Sequence, residues 1–328
     1  MHKVSCALLT VALVGLGTVP AGSLAQARDL PAPRQITVRM APSGVQAPDA
    51  LAAGRYQLNV RTARHLPGLL QLVKPDRGYT RADLRADERR GRRGINRIQA
   101  NLRFFGGTEV RAGGSGALWE TLYAGRYWLA GFGPGGFSVK TVHVHGTPSP
   151  SAFPRVSAEA TGTDKGLRLS RTAPQAGRML VRNVSNEIDA LFLLPLKKGT
   201  TYADFLRWLR RPNEDMPVRF RGARSTAALS PDAGYVLRYR LQAGDYVVIS
   251  ISSLMGLGPG SGPRQLFRPL TVRPRTGAKS ARMAGTRGTE GFKSSPAAAR
   301  RIERWLVTED RKVSLLADRL VAGALTHS

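Results

Sequence analysis

The sequence predicts an all-β protein of two tandem β-sandwiches, each with one short helix, followed by a C-terminal amphipathic α-helix. Three observations predict it. A set of short motifs occurs twice in the same order, at an offset of about 120 residues, too long for a solenoid repeat and suited to a duplicated domain. The apolar segments are short, rich in β-branched and aromatic residues, and bounded by glycine and proline. Helical spacing is confined to a short stretch in each copy and to the C-terminal end.

The first copy, residues 35–146, follows a proline-containing lead-in over residues 28–34. Residues 36–40 alternate like a first strand, and Ala53-Gly54-Arg55-Tyr56 opens the next. A third strand is expected over residues 69–73. Gly78-Tyr79-Thr80-Arg81-Ala82-Asp83-Leu84 reads as a capped helix start. The glycines and arginines of residues 89–94 mark a solvated loop. Strands are then expected over residues 117–123, 127–132 and 139–145. Gly146-Thr147-Pro148-Ser149-Pro150-Ser151 gives a linker at residues 147–152.

The second copy, residues 153–274, repeats the order. Ala176-Gly177-Arg178-Met179, Leu193-Leu194-Pro195-Leu196, Gly199-Thr200-Thr201-Tyr202-Ala203-Asp204-Phe205 and Ala243-Gly244-Asp245-Tyr246 match the first copy's motifs. Tyr202, Phe205, Leu206 and Leu209 recur at helical spacing, and Pro212 stops them. Residues 275–295 have little to bury and read as a flexible basic linker. Ser295-Pro296 then begins a helix reaching residue 322, with Ile302, Leu306, Val313, Leu316 and Leu320 on one face. That helix would dock on the second copy, bind a partner or another copy of the chain, or lie on a membrane surface.

The N-terminus reads as a secretory signal over residues 1–27. Lys3 is its basic region, residues 7–19 its apolar run, and Ala25-Gln26-Ala27 its cleavage site. The run is too short to span a bilayer, so the expectation is a secreted or envelope-associated chain without a transmembrane segment. The only cysteine, Cys6, lies in that signal, leaving no disulfide and no thiolate. The net charge is +28, nearly all of the excess arginine, whose planar fork suits phosphate and carboxylate.

The order of motifs, seen twice, resembles the plastocyanin-like, or cupredoxin, domains of secreted bacterial proteins. That resemblance implies Greek-key sandwiches and covers most of the chain beyond the signal. The family holds copper with two histidines, a cysteine and an axial methionine. The resemblance places the thiolate at Gly131 and Ser250, and the first imidazole near Gly68 and Asp189. None of these can supply those ligands, and His65 lies close to Gly68 without matching it. What the resemblance implies is therefore a pair of degenerate copies, with the fold and without its copper.

Other chemistry is sparse. His143 and His145 are two apart on an expected strand and share a face. With His65 they are the metal-ligand candidates, but a structural site wants about four donors, so no metal and no cofactor are expected. No Gly-x-Ser-x-Gly elbow occurs. The glycines of residues 131–136 precede no helix, which excludes a dinucleotide fingerprint. Asp87-Glu88 and Glu214-Asp215 sit beside arginines and read as solvated ion pairs. The densest basic clusters are Arg89, Arg90, Arg92 and Arg93, then Arg207, Arg210 and Arg211, then Arg219, Arg221 and Arg224. They fit a polyanion held without sequence readout. The expected function is non-enzymatic binding, outside the cell or at its envelope, of an anionic envelope polymer or a protein partner. No small-molecule substrate is expected. The alternatives are a copper-handling protein using histidine and methionine without cysteine, and a secreted inhibitor or interaction module.

Overall fold

The computed structural model describes residues 30–64, 67–133, 136–209, 216–219, 222–250 and 267–274. The expected signal, the basic linker at 275–295 and the helix at 296–322 lie outside the described residues. What is described is all-β, with short helices laid on the sheets.

The first half contains β1 (Arg34–Ala41), β2 (Gly44–Gln46), β3 (Ala50–Thr62), β4 (Gly68–Pro75), α1 (Arg81–Glu88) and α2 (Arg92–Asn101). It continues with β5 (Leu102–Val110), β6 (Ser115–Leu122), β7 (Gly125–Gly133) and β8 (Gly136–Ser149). The long strand β3 serves two layers. Its residues 56–62 run parallel to β1 and its residues 54–61 antiparallel to β6. Its residues 50–52 run parallel to β8, and the register shifts between Ala52 and Gly54, where Gly54 takes φ 149°. From β8 the second layer continues antiparallel through β7, β4 and β5.

The second half contains β9 (Ala158–Thr163), β10 (Gly166–Leu169), β11 (Thr172–Pro174), β12 (Ala176–Asn183), β13 (Leu191–Pro195) and α3 (Tyr202–Trp208). Then come β14 (Arg224–Ser225), β15 (Ala233–Arg240), β16 (Gly244–Ser250) and β17 (Phe267–Arg273). Each pairing of the first half has a counterpart here. β9 runs parallel to β12 and antiparallel to β10, and β12 pairs antiparallel with β15. β11 runs parallel to β17, which continues antiparallel through β16, β13 and β14.

Alternation drives both sandwiches. Val38, Leu58, Val60 and Leu118 on one layer of the first half meet Leu70, Leu72, Tyr127, Leu129 and Val142 on the other. Met179, Val181, Tyr235 and Tyr239 meet Leu193, Tyr246, Val248 and Leu270 in the second. The far face of each second layer is covered by helix. Tyr79, Leu84 and Ile98 from the α1–α2 region pack on Val73, Phe104 and Trp128, while Phe205 and Trp208 of α3 pack on Leu194, Val247 and Phe267.

The helix starts agree with the sequence. Thr80 and Thr201 cap α1 and α3 as capping boxes, each accepting from the aspartate amide three residues on. Gly78 and Gly199, two residues earlier, take φ 91° and 83°. One expectation is corrected: the first half carries two helices, not one. The segment expected as a solvated loop turns at Gly91 (φ 57°) and continues as α2. Ile95 and Ile98, three apart, give α2 the apolar stripe that anchors it. A Cβ on Gly94 would lie 1.7 Å from the Asp87 carbonyl oxygen, so glycine permits the close approach of α2 to the end of α1.

The halves are joined edge to edge. β6 pairs with β15 through Trp119–Val236 and Leu118–Leu237. The buried Gln71 carboxamide acts as a substitute peptide at the same joint. Its Nε2 donates to the carbonyls of Gly106 (2.9 Å) and Ala228 (3.0 Å), and its Oε1 accepts from the Ala228 amide at 2.9 Å. The expected linker is also ordered: β8 reaches Ser149, and the Ala152 amide donates to the Pro31 carbonyl at 2.9 Å.

Candidate functional site

The first place to look for chemistry is the end of β7 and of β16, where the resemblance puts a thiolate. In the first half this place is filled by hydrocarbon. A Cβ on Gly131 would lie 2.5 Å from Val45 Cγ2 and 3.2 Å from Ser138 Oγ, and one on Gly68 would lie 2.6 Å from Met40 Cε. No side chain fits at either position without displacing Met40 or Val45. In the second half the place holds a polar pair. The Ser250 hydroxyl donates to the Asp189 carboxylate, 2.9 Å from both of its oxygens. Both residues are buried, and Gly162 makes room for the carboxylate: a Cβ there would lie 2.3 Å from Asp189 Oδ2. Neither position fits a soft, thiolate-held copper.

His143 and His145 do share a face of β8. Both are exposed, with ring centroids 6.3 Å apart and planes 12° from parallel. Among the described residues no group of three or more histidine, cysteine, aspartate or glutamate side chains converges as a metal site. His65 lies outside the described residues.

The arginine clusters divide. Arg89 and Arg93 are exposed, and the Arg92 side chain is outside the described set. Arg90 instead folds back on a buried carboxylate: its Nη1 lies 2.7 Å from Asp87 Oδ1, joined there by Arg97 Nε at 3.1 Å. The Tyr79 hydroxyl donates to Asp87 Oδ2 at 3.1 Å. Burial, then this bond, push the tyrosine's pKa far above its ordinary value. Asp87 is thus a buried carboxyl held by two arginines and Tyr79, which corrects the expectation of a solvated ion pair. Its neighbour Glu88 is half-buried and raised to about 7 by desolvation. In the second group Arg207 pairs with Asp204 at 2.8 Å, Arg219 is exposed and Arg224 is half-buried, while Arg210, Arg211 and Arg221 lie outside the described residues. The neighbouring aromatics are structural: Phe104 and Trp208 are buried in the clusters under the helices.

Sequence reasoning missed Glu120. It follows Trp119 on β6 and points inward between Leu118 and Leu122, a carboxylate where the alternation calls for an apolar residue. Its Oε1 accepts from the Thr121 amide at 3.0 Å, and Oε2 has no hydrogen-bond partner. Burial raises its pKa to about 8. The signal was its even spacing from Leu118 and Leu122.

No family model matches the chain, and no curated protein matches it. Among solved structures it is similar to a multicopper oxidase at 12% identity, covering 73% of this chain and 88% of that chain, with a TM-score of 0.22. It is also similar to dithionite-reduced auracyanin from Roseiflexus castenholzii, at 14% identity over 35% of this chain and 95% of that chain, TM-score 0.23. A third is the blue copper oxidase from Nitrosomonas europaea, at 10% identity over 73% and 86%, TM-score 0.22. The strand pairing described above stands without them. Among the described residues no helix is long and apolar enough to cross a membrane.

Proposed function

We propose that the chain is a tandem pair of degenerate cupredoxin-like sandwiches that works, after export and cleavage near Ala27, as a non-enzymatic binding protein for an anionic envelope polymer. The observation that carries the reading is arginine in large excess, with Arg89, Arg93 and Arg219 exposed. The repeated pairing order supports the tandem part of the reading, and the filled or hydrogen-bonded ligand positions support its independence from copper. Polymer phosphates neutralised by arginine release condensed counterions, which favours binding at low salt and weakens it as salt rises.

The test is retention of the purified chain on an immobilised anionic polymer across a salt series. Retention that falls steeply with salt supports the reading. Absence of retention at about 50 mM salt, where counterion release is strong, refutes it. A second reading, copper handling, has the stacked His143–His145 pair in its favour. Cu(II) binding abolished by His143→Ala would favour that reading.

A further inference from the structure

Each sandwich has two outward faces, and in both halves helices cover only the second layer's. The first layers, β1–β3–β6 and β15–β12–β9–β10, are joined through the β6–β15 pair into one sheet of seven strands. At about 4.8 Å per strand it spans roughly 30 Å. Its outer face is defined by register. Arg39 on β1 stands beside Arg61 on β3, Arg178 on β12 stands opposite Arg238 on β15, and Arg182 and Arg168 follow on β12 and β10. All six are exposed. Among the described residues none of them is ion-paired, and the one acidic side chain on this face is Glu159.

Two of these arginines face each other across an antiparallel pair, and two others stand side by side in a parallel one. Like charges placed so are destabilising. A surface that carries two such pairs with one carboxylate among them lacks its counter-charge among the described residues. On β12 the outward Arg178 and Arg182 are four residues apart, about 13 Å, with Leu180 between them, and the other four arginines are spread over β1, β3, β10 and β15. Guanidinium forks spread over a broad, gently twisted sheet fit an extended chain of phosphates better than a compact anion. Trp119, central on this face, is not available to stack a base. Trp119 is 6% exposed, and the Arg178 guanidinium lies over its ring at 4.9 Å. Phe153, at the edge of the face, is half-exposed, but the Arg55 guanidinium lies 5.0 Å from the centre of its ring, and a single ring gives no row of platforms for successive bases, so the face favours the phosphates.

We propose that the helix-free outer face of the joined sheet, on either side of residues 151–157 that lie across it, binds an extended, base-free phosphodiester polymer of the poly(glycerol phosphate) type. The inference rests on the polyanion reading above and moves its main site from the helix-borne clusters to the sheet.

The experiment measures binding of poly(glycerol phosphate) and of oligo(dT) from about 50 to 200 mM salt. It compares the parent chain, the face variant Arg168→Gln/Arg178→Gln/Arg182→Gln/Arg238→Gln, and the helix-turn variant Arg89→Gln/Arg93→Gln. A fourth protein, the face variant with Arg178 retained over Trp119, covers the case in which the quadruple change impairs folding. The face variants should lose about a hundredfold in affinity at ~0.15 M salt and flatten the log–log salt slope by about 3. The helix-turn variant should lose less. Oligo(dT) should bind the parent no more tightly than poly(glycerol phosphate). If the parent binds and the face variants bind equally well, the face is not the site, although the polyanion reading survives. Tighter binding of oligo(dT) overturns the base-free assignment. A parent that binds neither polymer overturns both readings.

Discussion

In the first half, the end of β7 is packed with hydrocarbon, Met40 and Val45 lying where a side chain on residue 131 would go; in the second, the end of β16 carries Ser250 hydrogen-bonded to a buried Asp189. The surrounding strands pair in the same order, so the two halves solve one problem twice. A strand end that must be closed can be closed by filling it or by satisfying it. Filling leaves no tolerance for volume, whereas a polar pair tolerates similar volume and depends on each partner keeping the other hydrogen-bonded. The sheets of both halves are held by one continuous hydrophobic core.

The comparison can be broken most forcefully by truncation. Met40→Ala and Asp189→Ala should each destabilise by about 3 kcal/mol, the first through a cavity and the second through lost charged hydrogen bonds. Because the shared core and the β6–β15 pair couple the halves, urea denaturation should show one transition for both variants. Two separate transitions would show that the halves are independent.

Cysteine scanning sharpens the contrast. Gly131→Cys should cost about 2 kcal/mol through overpacking, and Ser250→Cys about 1 kcal/mol through a weakened bond to Asp189. Equal costs would contradict the two modes of closure, and thermal melts of the reduced proteins decide it.

Glu120 gives a pH-dependent difference between the inner faces, since β15 carries tyrosines there. Burial raises its carboxyl from 4.5 to about 8, with the Thr121 amide and then Arg55 opposing. Between those values the folded chain holds a proton that the unfolded chain has released, so this contribution to stability falls as pH rises through the window. Glu120→Gln should therefore match the parent near pH 4 and exceed its stability near pH 9, by up to about 5 kcal/mol for a shift of that size. Denaturant midpoints at the two pH values measure this, and an unchanged pH profile would show that Glu120 ionises freely.

The smallest effect is a predicted equality. Thr80→Ala and Thr201→Ala remove identical capping boxes and should each cost about 1 kcal/mol by chemical denaturation. A difference as large as the effect itself would mean that the helix starts are not equivalent.

Much of this was legible in the chain. The capping boxes are local, so Thr80 with Asp83 and Thr201 with Asp204 announced both helix starts, alternation announced β1, and short apolar runs announced β4 and β7. α2 was hidden because Gly91, Gly94 and their arginines read as a loop, although Ile95 and Ile98 already carried the helical spacing. Short strands such as β2 and β14 have too few residues to show a period. The β6–β15 join, the Gln71 bridge and the Asp189–Ser250 pair are contacts between distant segments, which no local pattern encodes. The arginine face was missed for the same reason: its members are scattered over 200 or so positions and meet only through register, whereas the clusters visible in sequence proved partly occupied by Asp87 and Asp204.

The most direct test of the account is the affinity of the intact chain for poly(glycerol phosphate) at about 50 and 200 mM salt. Six to ten arginine–phosphate contacts predict a loss of roughly a thousandfold or more between the two. Binding that is absent at the lower salt, or that is unchanged at the higher, would contradict it.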